Sequence, residues 1–423
     1  MTIIPWLGDV RYPVAAAKNA FDITLGKMFQ AAPSSETDTE VPYFKSMSIQ
    51  WGGIQTNPNI RMWATLENCR ELAVRSGDLL ICEGGDVGRA AIYDGPEGFI
   101  FEKSVHRARS TEGSDTRYLG YVLRALHGSE WLDVLCNKAT IRHLTGEKLG
   151  ALEIPVPPVD DQRRIADFLD AETARIDQLA LKRRQMRSLL TLKRERVIES
   201  TLGLERAQTT DGLVPLKHLV ADVTVGIVIT PAKWYVEVGG TPALRGLNVK
   251  PDFINTGDLV QISAEGDAVN RKSRLNSGDV VVVRTGQAGA AAVVPAELDG
   301  ANCIDLIVVR PGRKISPRYL QYVLNSGYAS ARVTEHSVGS IQAHFNVGAM
   351  KQIPIPSIPR SEQDEIVRLL DTRVGALDLL HRKLDSQEQL LTERRQALIT
   401  AAVTGQFDVS TASGRNVTDG VPT

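Results

Sequence analysis

Two long stretches of the chain place apolar residues at alternating steps of four and three, which keeps them on one face of an α-helix. The first stretch runs from Gln162 to Leu204, and the second starts at Gln363. The apolar positions of the first are Ile165, Leu169, Ile176, Leu179, Met186, Leu190 and Val197. Those of the second are Ile366, Leu370, Leu377, Leu380, Leu384, Leu391 and Leu398. The pattern predicts two long helices, each with a stripe that suits a partner helix.

The two stretches belong to a larger internal repeat with one fixed offset. Ile165 and Ile366 are 201 positions apart, and the same offset joins elements far upstream. These elements are SGD at 76–78 and 277–279, GDVG at 85–88 and GQAG at 286–289, RYL at 117–119 and 318–320, and IP at 154–155 and 355–356. Upstream of SGD the two copies diverge in sequence. The repeat indicates a duplicated module in which a globular unit precedes each helix.

The repeat and its proline-rich segments set the predicted domain boundaries. Proline favours a turn before a helix, and IPVPPVDDQ and IPIPSIPRSEQ precede the two helical stretches. Short β-branched runs such as LLIC and VVVV are typical of buried strands, so the globular units are predicted to be α/β or α+β. The predicted domains are globular units at 1–158 and 212–359, helices at 159–205 and 360–406, and a disordered tail at 407–423.

Simple lengths predict how the helices are arranged. A helix of about 43 residues spans roughly 65 Å, whereas the link from Gly203 to Leu213 reaches at most ~35 Å. The second globular unit is therefore expected near the far end of the first helix. The second helix would bury its stripe by running back antiparallel, which gives a pseudo-two-fold arrangement with one globular unit at each end.

Composition excludes several classes of protein. The chain has 423 residues, no apolar run near the ~18 residues of a membrane span, and no basic start followed by an apolar stretch. Its four cysteines lie far apart, which argues against a disulfide framework or zinc site and favours a cytoplasmic protein. The net charge of −1 does not indicate a nucleic-acid binder, so any DNA-binding groups must be sorted onto one face.

Catalytic motifs are absent from the sequence. There is no GxxxxGK[ST], and GGDVG and GQAG lack the full GxGxxG of a dinucleotide site. We interpret both glycine segments as turns between strands, where glycine allows positive φ. No catalytic residue and no metal ligand is predicted.

These features together resemble the specificity subunit of type I restriction–modification systems. The resemblance rests on the twin proline-rich segments that lead into Gln162 and Gln363, the two long helices, the SGD and RYLxYVL elements, and the ending LITAAVTGQFDV. It implies two target recognition domains that each read one half of an asymmetric, bipartite double-stranded DNA target. It also implies that the helices set the spacer and dock two methylation subunits, and that two restriction subunits can join.

The resemblance further implies that the chain is not an enzyme and binds no cofactor itself. S-adenosylmethionine would belong to the methylation subunits, which methylate adenine N6, and ATP with magnesium to the restriction subunits. Two other interpretations stay open: a coiled-coil scaffold that binds two protein ligands without DNA, and, more remotely, a catalytic methyltransferase.

Candidate DNA-binding residues are basic side chains and the paired histidines of the globular units. In the first unit they are Lys45, Arg61, Arg89, Lys103, Arg107, Arg142 and His143. In the second they are Lys233, Arg245, Lys250, Arg271, Lys272, Arg274, Arg284 and His344. His143 and His344 occupy matching positions, whereas Arg284 aligns with Glu83 and Arg89 aligns with Ala290. Such differences are expected of two readers of different sequences, and equally of protein surfaces that have drifted apart.

Overall fold

The computed structural model describes residues 2–129, 131–136, 142–204, 212–335 and 345–409. The chain divides into two compact units, unit 1 with residues 1–183 and 386–423 and unit 2 with residues 184–385. The division falls inside both long helices, so each unit contains one globular part and one half of each helix. From residue 410 onward, the predicted tail lies outside the described residues.

Unit 1 combines short strands with four short helices and halves of the long ones. Its strands are β1 (Thr2–Ile4), β2 (Gly8–Val10), β3 (Val14–Ala16), β4 (Phe21–Leu25), β5 (Thr39–Phe44), β6 (Ile49–Gln50), β7 (Gly53–Ile54), β8 (Arg61–Ala64), β9 (Leu79–Cys82), β10 (Ala90–Ile92), β11 (Ile100–Phe101), β12 (Val105–Ser110) and β13 (Glu153–Pro155). Its helices are α1 (Leu66–Glu71), α2 (Thr116–His127), α3 (Trp131–Leu135), α4 (Gly146–Ala151) and the start of α5 (Val159–Thr201).

Unit 2 repeats this order from β3 onward, with one additional strand after its second strand. Its strands are β14 (Leu213–Pro215), β15 (Asp222–Val225), β16 (Tyr235–Val236), β17 (Thr241–Leu244), β18 (Val249–Lys250), β19 (Phe253–Ile254), β20 (Val260–Ile262), β21 (Val280–Val283), β22 (Ala291–Val293), β23 (Asn302–Cys303), β24 (Leu306–Arg310) and β25 (Pro354–Pro356). Its helices are α6 (Ala264–Val269), α7 (Pro317–Leu324), α8 (Gly327–Glu335), α9 (Val347–Gln352) and the start of α10 (Arg360–Thr404). The α/β prediction and the repeat are therefore confirmed.

A four-stranded antiparallel sheet forms the centre of each unit. Its strand order is β10-β9-β12-β4 in unit 1 and β15-β24-β21-β22 in unit 2. Alternate residues of β9 enter two different cores: Leu79 and Ile81 pack towards α2, whereas Leu80 and Cys82 pack towards the sheet that contains β5. Because both faces of β9 are covered, the strand is apolar at every position, which explains the continuous runs LLIC and VVVV.

The glycine segments between these strands are turns, as predicted. Gly85 and Gly88 lie between β9 and β10 with φ of 77° and 79°, and Gly286 and Gly289 lie between β21 and β22 with φ of 84° and 92°. These left-handed conformations strain any residue with a Cβ atom. The turns therefore explain the glycines without a bound phosphate.

In each unit the halves of α5 and α10 run antiparallel. In unit 1, Ile165 and Leu169 share a core with Leu398, and Arg395 forms an ion pair with Asp177. In unit 2, Arg194 pairs with Asp378 at 3.0 Å and Arg187 with Asp385 at 3.4 Å. Residue numbers that increase along α5 therefore face residue numbers that decrease along α10.

The predicted stripe is wrong at some positions in the middle of the helices, although Leu384 there is buried. Ile165, Leu169 and Ile176 are buried, but Met186 and Leu380 are about half exposed. Ion pairs such as Arg194–Asp378 supply the contacts that the apolar pattern predicted for leucines. Periodicity places a residue on a helix face, but it cannot show where the partner helix ceases to cover that face.

The repeated glutamine explains why the same short motif precedes each helix. The buried Gln162 accepts a hydrogen bond from the backbone N–H of Asp115 at 3.0 Å and donates to the carbonyl of Pro157 at 2.9 Å. The buried Gln363 accepts from the N–H of Ser316 at 2.7 Å and donates to Lys314 and Ile358. Each glutamine therefore joins the start of a long helix to the start of the RYLxYVL helix.

Candidate nucleic-acid interface

The best-formed group of predicted residues in unit 1 surrounds a cavity of about 470 Å³. Lys45, Lys103 and His143 line this cavity together with Glu83, although they are distant in sequence. Lys45 starts a 3-10 turn after β5, Lys103 lies between β11 and β12, and Glu83 directly follows β9. The ends of several strands thus bring these side chains together; we call this group the unit 1 cavity.

Hydrogen bonds hold the wall of the unit 1 cavity in place. The Ser46 hydroxyl donates to the Ser104 carbonyl at 2.7 Å, and the Ser46 N–H donates to the Ser104 hydroxyl at 3.1 Å. His143 forms a β-bridge with Gly84, and its Nδ1 lies 2.9 Å from Glu83 Oε2. The cavity therefore presents a positioned carboxylate and imidazole beside two lysines, which offers both acceptors and donors to a polar ligand.

Three other predicted arginines of unit 1 are engaged within the protein. Arg89 bonds Asp86 at 2.9 Å and the Ser46 carbonyl at 3.2 Å, so it braces the cavity wall. Arg142 pairs with Asp133 at 2.7 Å, and Arg61 pairs with Glu40 at 3.4 Å. Arg61 and Arg142 are exposed, so their outer faces remain accessible.

Burial removes Arg107 from the candidate DNA-contacting residues. Its side chain is 5% exposed, and its guanidinium donates to the carbonyls of Glu71 and Ala73 and to the Thr24 hydroxyl. Burial, and next the charge of Arg109, hold the pKa of Arg107 below its usual value. The prediction included Arg107 among the DNA-contacting residues, whereas its guanidinium binds backbone carbonyls at the end of α1.

Unit 2 places an arginine where unit 1 has Glu83. Arg284 directly follows β21 and donates to Asp305 at 2.7 Å and to the Phe345 carbonyl at 3.3 Å. Its side chain is 16% exposed, as is that of Glu83. Thr285 also donates to Asp305, at 3.1 Å. The same point of the fold therefore carries opposite charges in the two units.

The structural repeat continues upstream of SGD, where the sequences diverge. The hairpin β6–β7 pairs Ile49 with Ile54, and β18–β19 pairs Val249 with Ile254, in one register. The offset is 200 there rather than 201, so Lys45 corresponds to Arg245. Met47 and Leu247 correspond likewise and are both exposed. A one-residue length change between the hairpin and SGD conceals this equivalence from sequence comparison, and both apolar residues were missed.

The remaining predicted residues of unit 2 do not form one cluster. Arg245 pairs with Asp258 at 3.0 Å, Arg274 pairs with Asp267, and Lys233 lies 4.2 Å from the centroid of its neighbour Trp234. The other positions are Lys250, half-buried in β18, and the exposed Arg271 and Lys272. His344 lies outside the described residues.

The described residues offer no metal site and no membrane span. Within the described ranges, no group of three or more His, Cys, Asp and Glu side chains could hold a metal ion. None of the described helices has the length and apolar character needed to cross a bilayer.

Comparison with solved structures identifies the fold. One similar structure comes from a study of complex assembly and conformational transition of the type I restriction–modification system; it covers 96% of this chain and 100% of its own, with a TM-score of 0.72 and 18% identity. The HsdS subunit from Thermoanaerobacter tengcongensis covers 94% of this chain and 97% of its own, with a TM-score of 0.52 and 18% identity. Both comparisons show the fold of a type I specificity subunit.

Sequence comparison assigns the chain to a family. The family model for the type I restriction modification DNA specificity domain matches residues 19–185 and 247–389. Because these matches cover most of the chain, the protein belongs to this family of type I restriction–modification specificity subunits. The Escherichia coli EcoBI specificity subunit is 20% identical over 64% of this chain, and the Salmonella potsdam StySPI specificity subunit is 28% identical over 40%. The alignments span 62% and 37% of those two relatives.

Proposed function

We propose that this chain selects the DNA sequence for a type I restriction–modification complex, with each globular unit reading one half of a bipartite target. Family membership and the duplicated fold support this proposal. Duplex DNA has a repeating structure, so it offers equivalent surfaces to two equivalent protein units. The cavity residues Lys45 and Lys103 would contact phosphate, which positions a protein on DNA without specifying sequence.

The opposite charges of Glu83 and Arg284 carry the proposal that the two half-sites differ. A glutamate accepts a hydrogen bond from the N4 amino group of cytosine, whereas an arginine donates to O6 and N7 of guanine. Glu83 and Arg284 follow equivalent strands and have equal exposure. Two globular units with the same fold and opposite charges at this position would prefer different bases, so the target would be asymmetric.

The long helices are proposed to set the number of unread base pairs between the half-sites. The 43 residues of α5 span roughly 65 Å, and one turn of duplex covers ~34–36 Å. Ion pairs from Asp177–Arg395 to Arg187–Asp385 fix the register of the helix halves within the two units. A fixed register would make the spacer a property of helix length.

The same helices are proposed to dock two methylation subunits. Large apolar side chains are exposed along α5 and α10, and contiguous exposed apolar patches mark protein–protein interaction sites. They include Leu181, Met186, Leu189, Leu192, Leu369, Leu379 and Leu390. The docked subunits would supply S-adenosylmethionine and methylate adenine N6, and restriction subunits would supply ATP hydrolysis and cleavage. In this proposal the chain itself performs no catalysis.

Lengthening both helices tests the proposed division of labour. We would insert seven residues after Ser188 and seven after Leu384, because these positions face each other in the antiparallel pair and a heptad preserves the apolar phase. The added length is roughly 10 Å, or about three base pairs at ~3.4 Å each. Methylome sequencing of cells that express the chain with its methylation subunit should show both half-sites unchanged and a longer spacer.

Two outcomes would contradict the proposal. An altered half-site with the original spacer would mean that the helices do not set the distance. The absence of sequence-selective methylation from cells carrying the unaltered chain and its methylation subunit would favour a protein scaffold without a DNA function.

A further inference from the structure

A second cleft of unit 1, of about 370 Å³, opens beside the edge strand β10. One side is the turn of the β6–β7 hairpin, with Trp51 and Gly52, and the other is α2, with Gly120 and Arg124. Two acids also line the cleft: Asp170 accepts from Tyr121 at 2.7 Å and from Arg117 at 2.9 Å, and Asp94 accepts from Ser76 at 3.3 Å. We call this site the edge cleft.

In unit 2 the equivalent place is filled by the protein itself. Asn325, the counterpart of Arg124, accepts from the Ala291 N–H and donates to the Ala291 carbonyl, both at 2.9 Å. Gln321, the counterpart of Gly120, accepts from the Val293 N–H at 2.8 Å. These two amides satisfy the outer edge of β22.

An aspartate completes the filled site in unit 2. Asp252, at the turn position of Gly52, accepts from Gln321 and Asn325 at 3.0 Å each, and its N–H donates to the Ala291 carbonyl at 3.2 Å. Its second carboxylate oxygen accepts from Arg194 of α5. Unit 2 thus contains an acidic residue that bonds both a strand edge and an arginine.

Unit 1 keeps the strand edge but lacks these side chains. The register of β10 with β9 matches that of β22 with β21, so the N–H groups of Ala90 and Ile92 and the carbonyl of Ala90 point outward, away from β9. Gly120 has no side chain to reach them. An unpaired strand edge of this kind is a template for an added strand.

Two arginines at this point of unit 1 have hydrogen-bond donors without acceptors among the described residues. Arg395, the counterpart of Arg194, pairs with Asp177, but Gly52 supplies no second carboxylate and the buried Nε of Arg395 has no partner among the described residues. Arg124 lies over the Trp51 ring at 5.3 Å and has no hydrogen-bond acceptor in the described part of the chain. Burial, and next the charge of Arg395, hold the pKa of Arg124 below its usual value.

We propose that the edge cleft binds an extended acidic segment of a partner protein, whose carboxylate takes the place that Asp252 occupies in unit 2. Such a segment would add a strand to β10 and pair its carboxylate with Arg124, a charge-assisted bond. A nucleic-acid phosphate fits less well, because it has no donor for the Ala90 carbonyl. This proposal does not depend on the proposed DNA-reading role.

A short peptide tests the proposal on the full chain. The probe is fluorescein-labelled TVDVT with a C-terminal amide, and the comparison probe is TVNVT, which differs only in the charge of the central residue. Fluorescence anisotropy should show binding of TVDVT, at least tenfold weaker binding of TVNVT, and similarly weak binding of a TVDVT peptide with an N-methylated aspartate. Equal binding of TVDVT and TVNVT, no binding of TVDVT, or its displacement by a DNA duplex would overturn the proposal.

Introducing the side chains of unit 2 at the equivalent positions of unit 1 should fill the edge cleft. Gly120→Gln with Arg124→Asn introduces the two amides that fill the equivalent place in unit 2. A Cβ atom on residue 120 would meet only Leu79 Cδ1, at 3.4 Å. Gln also favours a helix more than Gly does. This variant should lose at least tenfold in affinity for TVDVT with an unchanged circular dichroism spectrum. Arg332→Asn removes the same charge from the surface of unit 2 and should leave the affinity unchanged. Unchanged affinity in the double variant would place the peptide elsewhere.

Discussion

The two units share the contacts that hold their strands and differ in the side chains at the strand ends. Arg109 pairs with Asp78 at 2.7 Å in unit 1, and their counterparts Arg310 and Asp279 lie 3.8 Å apart in unit 2. Tyr121 bonds Asp170, and Tyr322 bonds Asp371, both at 2.7 Å. Such contacts recur because they fix the sheet against the helices, whatever the surface of the unit binds.

The side chains at the strand ends differ because the contacts that fix the sheets against the helices do not constrain them. Glu83 faces His143 in unit 1, whereas Arg284 faces Asp305 in unit 2. Each of the two side chains has its own local hydrogen-bond partner. A duplicated fold whose strand ends carry different side chains is suited to recognising two different ligands of the same general shape, as two DNA half-sites are.

The largest expected effect comes from removing the glutamine hydrogen bonds that both units share at the start of their long helices. Gln363→Ala removes three hydrogen bonds and leaves the buried N–H of Ser316 without its acceptor. At about 1 kcal/mol for each bond, the free energy of unfolding should fall by about 3 kcal/mol. Gln162→Ala removes two bonds and should cost about 2 kcal/mol. Urea unfolding of the two variants measures both, and equal losses would show that the third bond contributes nothing.

The next largest effect concerns the strand end of unit 2. Arg284→Gln should relax one base position in one half-site, since a bidentate arginine–guanine contact contributes about 1–3 kcal/mol of discrimination, or roughly 5- to 150-fold. Methylome sequencing should show that the other half-site and the spacer are unchanged. This selective pattern separates base reading from a structural role, which would weaken methylation at every site.

A matched control exists in the same unit. Arg318→Gln also breaks an arginine–aspartate pair, with Asp371 at 3.0 Å, but Arg318 lies on α7 and not at the end of β21. It should leave the recognised sequence unaltered. Relaxation of the same base position by both variants would mean that Arg284 acts through the stability of unit 2.

Sequence periodicity and the repeat predicted the α/β units, the long helices and the turns at the paired glycines. These features depend on local preferences and on spacing, which the sequence contains directly. The cavity around Lys45, Glu83 and His143 could not be predicted, because its side chains meet only when separate strands pair. The role of Arg107 was hidden for the same reason: its acceptors, the Glu71 and Ala73 carbonyls, are backbone atoms from another element. The hydrogen bonds of Asp252 with Gln321 and Asn325 were concealed by the change of offset from 201 to 200.

The smallest expected effect is a difference in acid sensitivity between the units. His106 in β12 is fully buried and bonded through Nε2 to the Leu144 carbonyl at 2.7 Å, whereas its counterpart in β24 is Ile307. Burial lowers the pKa of His106 below its ordinary value of 6.5. Below that value the unfolded chain binds a proton that the folded chain does not, so unit 1 should lose stability as the pH falls from about 7 towards 5.

Replacing His106 with the unit 2 residue tests this comparison. His106→Ile should flatten the decline of the melting temperature between pH 7 and pH 5, even if it lowers the value at pH 7 by leaving the Leu144 carbonyl without its partner. His218 is exposed to solvent, so His218→Gln serves as the control and should leave the slope unchanged. An equal slope in the native chain and His106→Ile would show that His106 takes up its proton while folded, and that burial does not keep it neutral.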